Sequence, residues 1–196
     1  MGISALKKAG CRAVFLDRDG VLNSAVVRDG KPAAPLSLES FRISQDAGPC
    51  LHELKRRGFL LIVISNQPDV ARGRLLLSAV NEMHDRLRAV LPLDDILVCF
   101  HDTEDNCACR KPRPGLLLEA QDKYSVDLSR SFLIGDRWRD VDAGNAAGSK
   151  TVLIDRGYLE RGPSTPPAAR VTSLREAVSW VLQQNSEECA GVATNI

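Results

Sequence analysis

Short apolar runs at 12–17, 59–65, 95–99, 131–135 and 150–155 alternate along the chain with helical patterns at 47–57, 75–90, 114–124, 138–147 and 173–184. That alternation predicts βαβ units, and hence an α/β fold built on a mainly parallel sheet. In residues 75–90, Leu76, Val80, Met83 and Leu87 recur at helical spacing, the pattern of a face packed on the sheet. Near the C-terminus, Ser173 and Glu176 form a capping box ahead of Ala177, Val178 and Val181. Residues 157–171, rich in Gly, Pro and Arg, read as an irregular crossing segment, and 185–196 as a flexible tail. For 196 residues the simplest organisation is one domain over 1–184.

The chemistry sits where the apolar runs stop. The first run ends at Asp17, Asp19 follows two residues on, and Gly20 lets the chain turn. Carboxylates placed there lie at a strand's C-terminal end, the edge where open α/β sheets bind ligands. Two close carboxylates repel, so one is hard to ionise unless a cation sits nearby. The pair therefore points to a metal, a phosphate reaction or both. The run Ile62-Val63-Ile64 ends in Ser65, Asn66 and Gln67, whose hydroxyl is a candidate donor to a phosphoryl oxygen. Arg110 and Lys111 are adjacent cations ahead of Pro112 at a helix start. The run Phe132-Leu133-Ile134 ends in Gly135-Asp136, with Asp140 four residues later. Singly, each is ordinary strand-to-loop chemistry. The order D-x-D-G, S-N-Q, R-K-P, G-D-x-x-x-D is specific.

That order resembles the haloacid dehalogenase superfamily of phosphohydrolases over roughly residues 12–156. Asn66-Gln67, Ala71-Arg72-Gly73, Cys109-Arg110-Lys111-Pro112 and Gly135-Asp136 resemble its small zinc-carrying phosphatases, which include heptose 1,7-bisphosphate 7-phosphatases and histidinol-phosphate phosphatases. The resemblance implies a Rossmann-like three-layer sandwich with a mainly parallel central sheet. Residues 21–46 and 66–95 are too short to insert a large cap domain, so an open site served by small loops is expected. It further implies Asp17 as nucleophile, forming an aspartyl-phosphate, and Asp19 as general acid and then base. A catalytic Mg2+ is expected on the carboxylates of Asp17 and Asp136 and the backbone carbonyl of Asp19. Ser65 and Lys111 are expected on the equatorial phosphoryl oxygens. Asn66, Gln67, Arg110 and Arg137 are the expected substrate contacts, with Arg110's fork suited to a second oxyanion.

Cys99, His101, Cys107 and Cys109 form C-x-H-x5-C-x-C. Three thiols and an imidazole within eleven residues suit a closed tetrahedral Zn2+ site, structural because no coordination position stays open. The site would pin the loop that leads into Arg110 and Lys111. Cys11, Cys50 and Cys189 are isolated and read as small buried or incidental side chains.

Net charge is +1, from 26 basic and 25 acidic residues, and aromatic residues make up 5%. Neither a basic footprint nor a set of stacking platforms for nucleic acid is visible, which weighs against a nucleic-acid 3′-phosphatase. No apolar run approaches the ~20 residues that cross a bilayer, and residues 1–10 lack the apolar core of an export signal. The chain is therefore expected to be cytoplasmic and monomeric, with no membrane partner. Its expected partner is a small phosphorylated metabolite, a sugar bisphosphate. Asn23 and the Gly-Asp-Arg-Trp-Arg-Asp segment favour a heptose bisphosphate; the five-residue gap in the zinc loop favours histidinol phosphate. A catalytically inactive zinc-stabilised binding module is the non-enzymatic alternative. Against it stand intact Asp17, Asp19, Ser65, Lys111 and Asp136.

Overall fold

Val14 and Leu16 point to one side of the first strand, Ala13 and Phe15 to the other, and all four are inaccessible to solvent. A strand buried on both faces needs a layer above and a layer below, and reads in sequence as a continuous apolar run. A computed structural model describes residues 10–28 and 30–192. The elements in chain order are β1 (Ala13–Leu16), β2 (Val26–Arg28), β3 (Lys31–Ala33), α1 (Ala47–Arg56), β4 (Leu60–Asn66), α2 (Leu77–Val90) and β5 (Asp95–Cys99). They continue with α3 (Gly115–Tyr124), a 3-10 turn (Leu128–Arg130), β6 (Phe132–Gly135), α4 (Trp138–Ala147), β7 (Lys150–Ile154), β8 (Ala169–Val171) and α5 (Leu174–Val192).

Six strands form one sheet in the order β5-β4-β1-β6-β7-β8, every pair parallel. Two hydrophobic clusters cover its faces. Residues of α1, α2 and α5, among them Leu51, Met83 and Val181, pack on the side of Val14 and Leu16. Residues of α3 and α4, among them Leu117 and Ala143, pack on the side of Phe15. This is the expected three-layer α/β sandwich. The chain builds outward from β1 to β4 and β5, then returns to β6 on β1's other side. Such a reversal leaves a crevice beyond the strands' C-terminal ends. Asp17 and Asp19, Ser65 and Asn66, and Asp136 all emerge at that edge.

The expected strands and helices lie within a residue or two of the observed ones, with these differences. The helix expected from 75 begins at Leu77, and Leu76, assigned to its buried face, is 75% exposed at the N-cap; His84 takes a place on that face instead. The hairpin β2–β3 and the edge strand β8 were not among the expected strands. Each of these strands has three residues, too few to show a period. α5 runs on to Val192, across part of the segment read as a tail, and 193–196 lie outside the described residues. Residues 21–46 hold just the hairpin and 66–95 just α2 and its flanks, so no cap domain covers the sheet edge among the described residues. No helix there is long and apolar enough to cross a membrane.

Gly144 on α4 marks a close approach of helix and sheet. A Cβ at this position would lie 2.4 Å from Thr151 Cγ2 and 3.1 Å from Leu133 Cδ2. Alanine normally favours a helix over glycine by about 1 kcal/mol. Here overpacking outweighs that, and Gly144→Ala is expected to lower stability by about 1–3 kcal/mol. Gly48 on α1 has open space around it, and Gly48→Ala is expected to leave stability equal or higher. Urea denaturation of the two variants tests the contrast; equal effects in both would refute it.

Candidate active site

Lys111 enters the sheet edge from the segment after the zinc loop, and its ammonium is buried. Nζ donates to Asp17 Oδ1 at 2.8 Å and the Ile64 carbonyl at 2.9 Å, and lies 2.6 Å from Asp140 Oδ1. All three of its N–H donors thus have acceptors. Burial pulls the lysine pKa down, but Asp140 and Asp17 outweigh it and hold the group above the ordinary lysine range. Asn66 brackets the Lys111 backbone: Nδ2 donates to its carbonyl at 3.0 Å and Oδ1 accepts from its N–H at 3.1 Å.

Asp17, Asp136 and Asp140 bring carboxylate oxygens within 4.8 Å of one another. Burial raises the Asp17 pKa to about 6; Lys111 opposes the rise and Asp140 adds to it. Burial, then Asp17 and Asp140, push Asp136 well above the usual carboxylate range. Asp136 Oδ2 accepts from Tyr158 Oη at 2.7 Å, while Oδ1 is buried with no hydrogen-bond partner. An orphaned carboxylate oxygen beside mutually repelling carboxylates fits a hard divalent cation such as Mg2+. Gly20 is required here: its φ is +89°, and a Cβ would lie 1.7 Å from Asp136 Oδ2.

Asp19 is held differently. Its carboxylate accepts from Arg18 Nε at 3.1 Å and Nη2 at 2.9 Å, from Asn23 Nδ2 at 2.9 Å and from Gln67 Nε2 at 2.8 Å. Burial works to raise its pKa, but Arg18 and these hydrogen bonds outweigh it and keep the group below the usual range. Arg18 is itself fully buried, and its Nη1 contacts His84 Nε2 at 3.3 Å.

The cleft above these groups has a volume of about 290 Å3 and a rim of six arginines: Arg28, Arg72, Arg74, Arg110, Arg137 and Arg139. Asp17, Asp19, Asn66, Lys111 and Asp140 also line it. Of the expected substrate contacts, Asn66, Arg110 and Arg137 are therefore at the cleft. Arg137 pairs with Glu160, its Nε donating at 2.9 Å, and its backbone N–H donates to Asp140 Oδ2 at 3.0 Å. Asn66 and Gln67 are engaged within the protein, Asn66 on Lys111 and Gln67 on Asp19 and Ser65. Gln67 is inaccessible to solvent. Ser65 is also buried, its Oγ accepting from Gln67 Nε2 at 2.9 Å.

A segment without regular structure braces this edge. Arg156 Nη2 donates to the Gly20 carbonyl at 2.9 Å, Tyr158 to Asp136, and the Leu159 N–H to the Gly30 carbonyl at 2.9 Å, while Glu160 pairs with Arg137. Arg18, Arg139, Tyr158 and Glu160 were not among the expected site residues. Asp140, four residues after Asp136 in the sequence, reads either as a support for Lys111 or the metal or as a helix N-terminal charge, and it meets Lys111 Nζ at 2.6 Å.

Cys99, His101, Cys107 and Cys109 converge as expected. Cys99 Sγ lies 3.6 Å from Cys107 Sγ and 3.7 Å from His101 Nδ1, and Cys109 Sγ lies 3.4 Å from both. With metal–ligand bonds of about 2.0–2.3 Å, tetrahedral edges come to about 3.5–3.8 Å, so this donor set fits zinc. Arg110 Nη1 donates to the His101 carbonyl at 3.1 Å, tying the cleft rim to the zinc loop.

Comparison with known proteins agrees with this geometry. A heptose 1,7-bisphosphate 7-phosphatase of Helicobacter pylori is 33% identical over 178 residues, covering 87% of this chain and 97% of the relative. Its Escherichia coli counterpart is 33% identical over 183 residues, 87% of each chain. A family model described as HAD-hydrolase-like matches residues 108–177. The chain belongs to the haloacid dehalogenase-like family of hydrolases, among its phosphatases. A solved heptose 1,7-bisphosphate phosphatase from B. bronchiseptica, complexed with magnesium and phosphate, superposes with a TM-score of 0.78 at 28% identity. It covers 88% of this chain and 99% of its own.

Burial, then Arg18 and Arg88, lower His84 from 6.5 to about 4. The unfolded chain therefore takes up a proton first, and stability is lost as pH falls from 6.5 towards 4, by up to about 3 kcal/mol. His84→Gln cannot titrate, and its stability is expected to lose this component of the pH dependence; parallel stability–pH curves for the two proteins would contradict the assignment. Elemental analysis of protein prepared without chelator should find about one zinc per chain, and Cys107→Ser should lose it.

Proposed function

We propose that this protein is a Mg2+-dependent phosphomonoesterase that removes the 7-phosphate of D-glycero-D-manno-heptose 1,7-bisphosphate. The observation that carries the reading is the cleft's two-part charge: a buried cluster of Asp17, Lys111, Asp136 and Asp140 beneath a rim of arginines. The floor suits a phosphoryl group in transfer, and the rim suits a second anion on the same small molecule. The names of the relatives match such a substrate.

Asp17 and Asp136, with the Asp19 carbonyl, would hold Mg2+. When bound, the ion offsets the repulsion between an anionic nucleophile and an anionic ester. Asp17 attacks phosphorus, and the bond to the sugar oxygen breaks. Asp19 gives that oxygen its proton, then takes one from the water that attacks the aspartyl-phosphate, releasing inorganic phosphate and restoring Asp17. In the resting arrangement Asp19 is held ionised by Arg18. The arriving phosphate dianion is the charge that favours its protonation. Lys111, its three N–H donors engaged, steadies Asp17 and sets its charge beside the phosphoryl oxygens, and Ser65 supports that pocket through Gln67. Asn66 sets the Lys111 backbone. Arg110 reads the second oxyanion. Cys11 and Cys50, which form no disulfide, and three cysteines gathered for zinc fit a reducing, cytoplasmic setting.

The test is kcat/KM over a panel: both anomers of the heptose bisphosphate, the heptose 7-phosphate, histidinol phosphate and a 3′-phosphorylated oligonucleotide. The bisphosphate is expected to lead, and Asp17→Asn to abolish its turnover while the fold is retained. The short zinc loop makes histidinol phosphate the rival; higher kcat/KM on that ester would overturn the sugar assignment.

A further inference from the structure

Most cations of the cleft have a carboxylate at hand. Lys111 has Asp17 and Asp140, Arg137 has Glu160, Arg72 has Asp102, and Arg74 lies 3.7 Å from Asp69. Arg28, Arg110 and Arg139 form no ion pair among the described residues, and of these Arg110 and Arg139 each have a buried Nε with no hydrogen-bond partner. Both line the main cleft, and both also line an adjoining cavity of about 220 Å3 against the zinc loop, walled by Thr103, Asn106 and Arg113 among others. Arg113 is engaged with that loop, donating to the Cys107 carbonyl at 2.7 Å.

Arg139 stands on the first turn of α4, and its guanidinium carbon lies 4.7 Å from the centre of the Trp138 ring. Arg161 lies over the same ring at 3.4 Å. Contact with an aromatic face fixes a guanidinium without using its N–H donors. Burial, then Arg137 and Arg110, hold Arg139 below the usual arginine range. A half-buried cation among like charges, its donors unengaged, is costly in isolation and favourable once an anion arrives.

We propose that Arg139 is a substrate-binding residue that, with Arg110, grips the substrate's second, untransferred phosphate in the lobe between α4 and the zinc loop. This rests on the phosphatase reading above and adds the residue and the place. The forked guanidinium suits bidentate contact with phosphate oxygens, and binding energy there holds the other phosphate at Asp17.

The test compares wild type, Arg139→Gln and Arg139→Lys on heptose 1,7-bisphosphate, heptose 7-phosphate and p-nitrophenyl phosphate. Arg139→Gln is expected to lower kcat/KM for the bisphosphate roughly 10- to 100-fold more than for either monoester. Arg139→Lys, which keeps the charge and loses the fork, is expected to fall between. A wild-type preference for the bisphosphate that survives Arg139→Gln overturns this inference alone. A wild type indifferent to the second phosphate overturns it together with the bisphosphate reading. Equal losses on all three esters also overturn it, because a residue at the far phosphate cannot weigh equally on esters that lack one.

Discussion

A single buried ammonium group, that of Lys111, joins the end of β1 through Asp17, the start of α4 through Asp140, and β4 through the Ile64 carbonyl. These partners lie far apart in sequence, and without the ammonium their carboxylates would face one another in a buried space. Removing one member of a buried ion pair typically costs about 3–5 kcal/mol, because its partner is left uncompensated. The geometry of the acidic floor therefore depends on where Lys111 sits. That position is set by the Asn66 amide on one side and the zinc loop on the other. The structural metal and the catalytic edge are thus parts of one support, though they share no ligand.

The two carboxylates of the D-x-D-G turn have the same residue type and opposite environments. Asp17 is raised because burial exceeds what Lys111 returns; Asp19 is lowered because the Arg18 fork and two amides more than offset burial. Two carboxyls two residues apart thus start from opposite tendencies to hold a proton. Arg18, the variable residue of the motif, makes that difference.

How much of this was legible depended on chain locality. Strands buried on both faces read as unbroken apolar runs, so β1, β4 and β6 and the carboxylates at their ends stood out. The zinc ligands stood out because thiols and imidazole cluster within one loop. The hairpin β2–β3 was missed although the sequence Asp29-Gly30 beside Val26 and Val27 carries a turn signal, since three-residue strands show no period. Arg139, Tyr158 and Glu160 were hidden for another reason. Arginine, tyrosine and glutamate in a polar stretch look like solvated surface until the fold shows what they touch. Asn66 and Gln67 end a strand at the ligand edge, the place where substrate contacts are expected, and Asn66 does line the cleft. The local pattern does not reveal that Gln67 turns inward to Asp19, or that both polar atoms of the Asn66 amide meet the Lys111 backbone.

The bracing segment at 156–160 has no regular structure, and by composition it looks like a connector free to vary. Its contacts are spaced along the chain in a fixed order: Arg156 on Gly20, Tyr158 on Asp136, the Leu159 N–H on Gly30 and Glu160 on Arg137. Inserting or deleting one residue within it would shift the later contacts out of register together, much as a slipped strand misplaces every side chain. Loops ordinarily absorb changes in length with little harm. This one can tolerate substitution at solvent-facing atoms but not a change in length, so natural or engineered length variation should collect on the far side of Glu160, before β8.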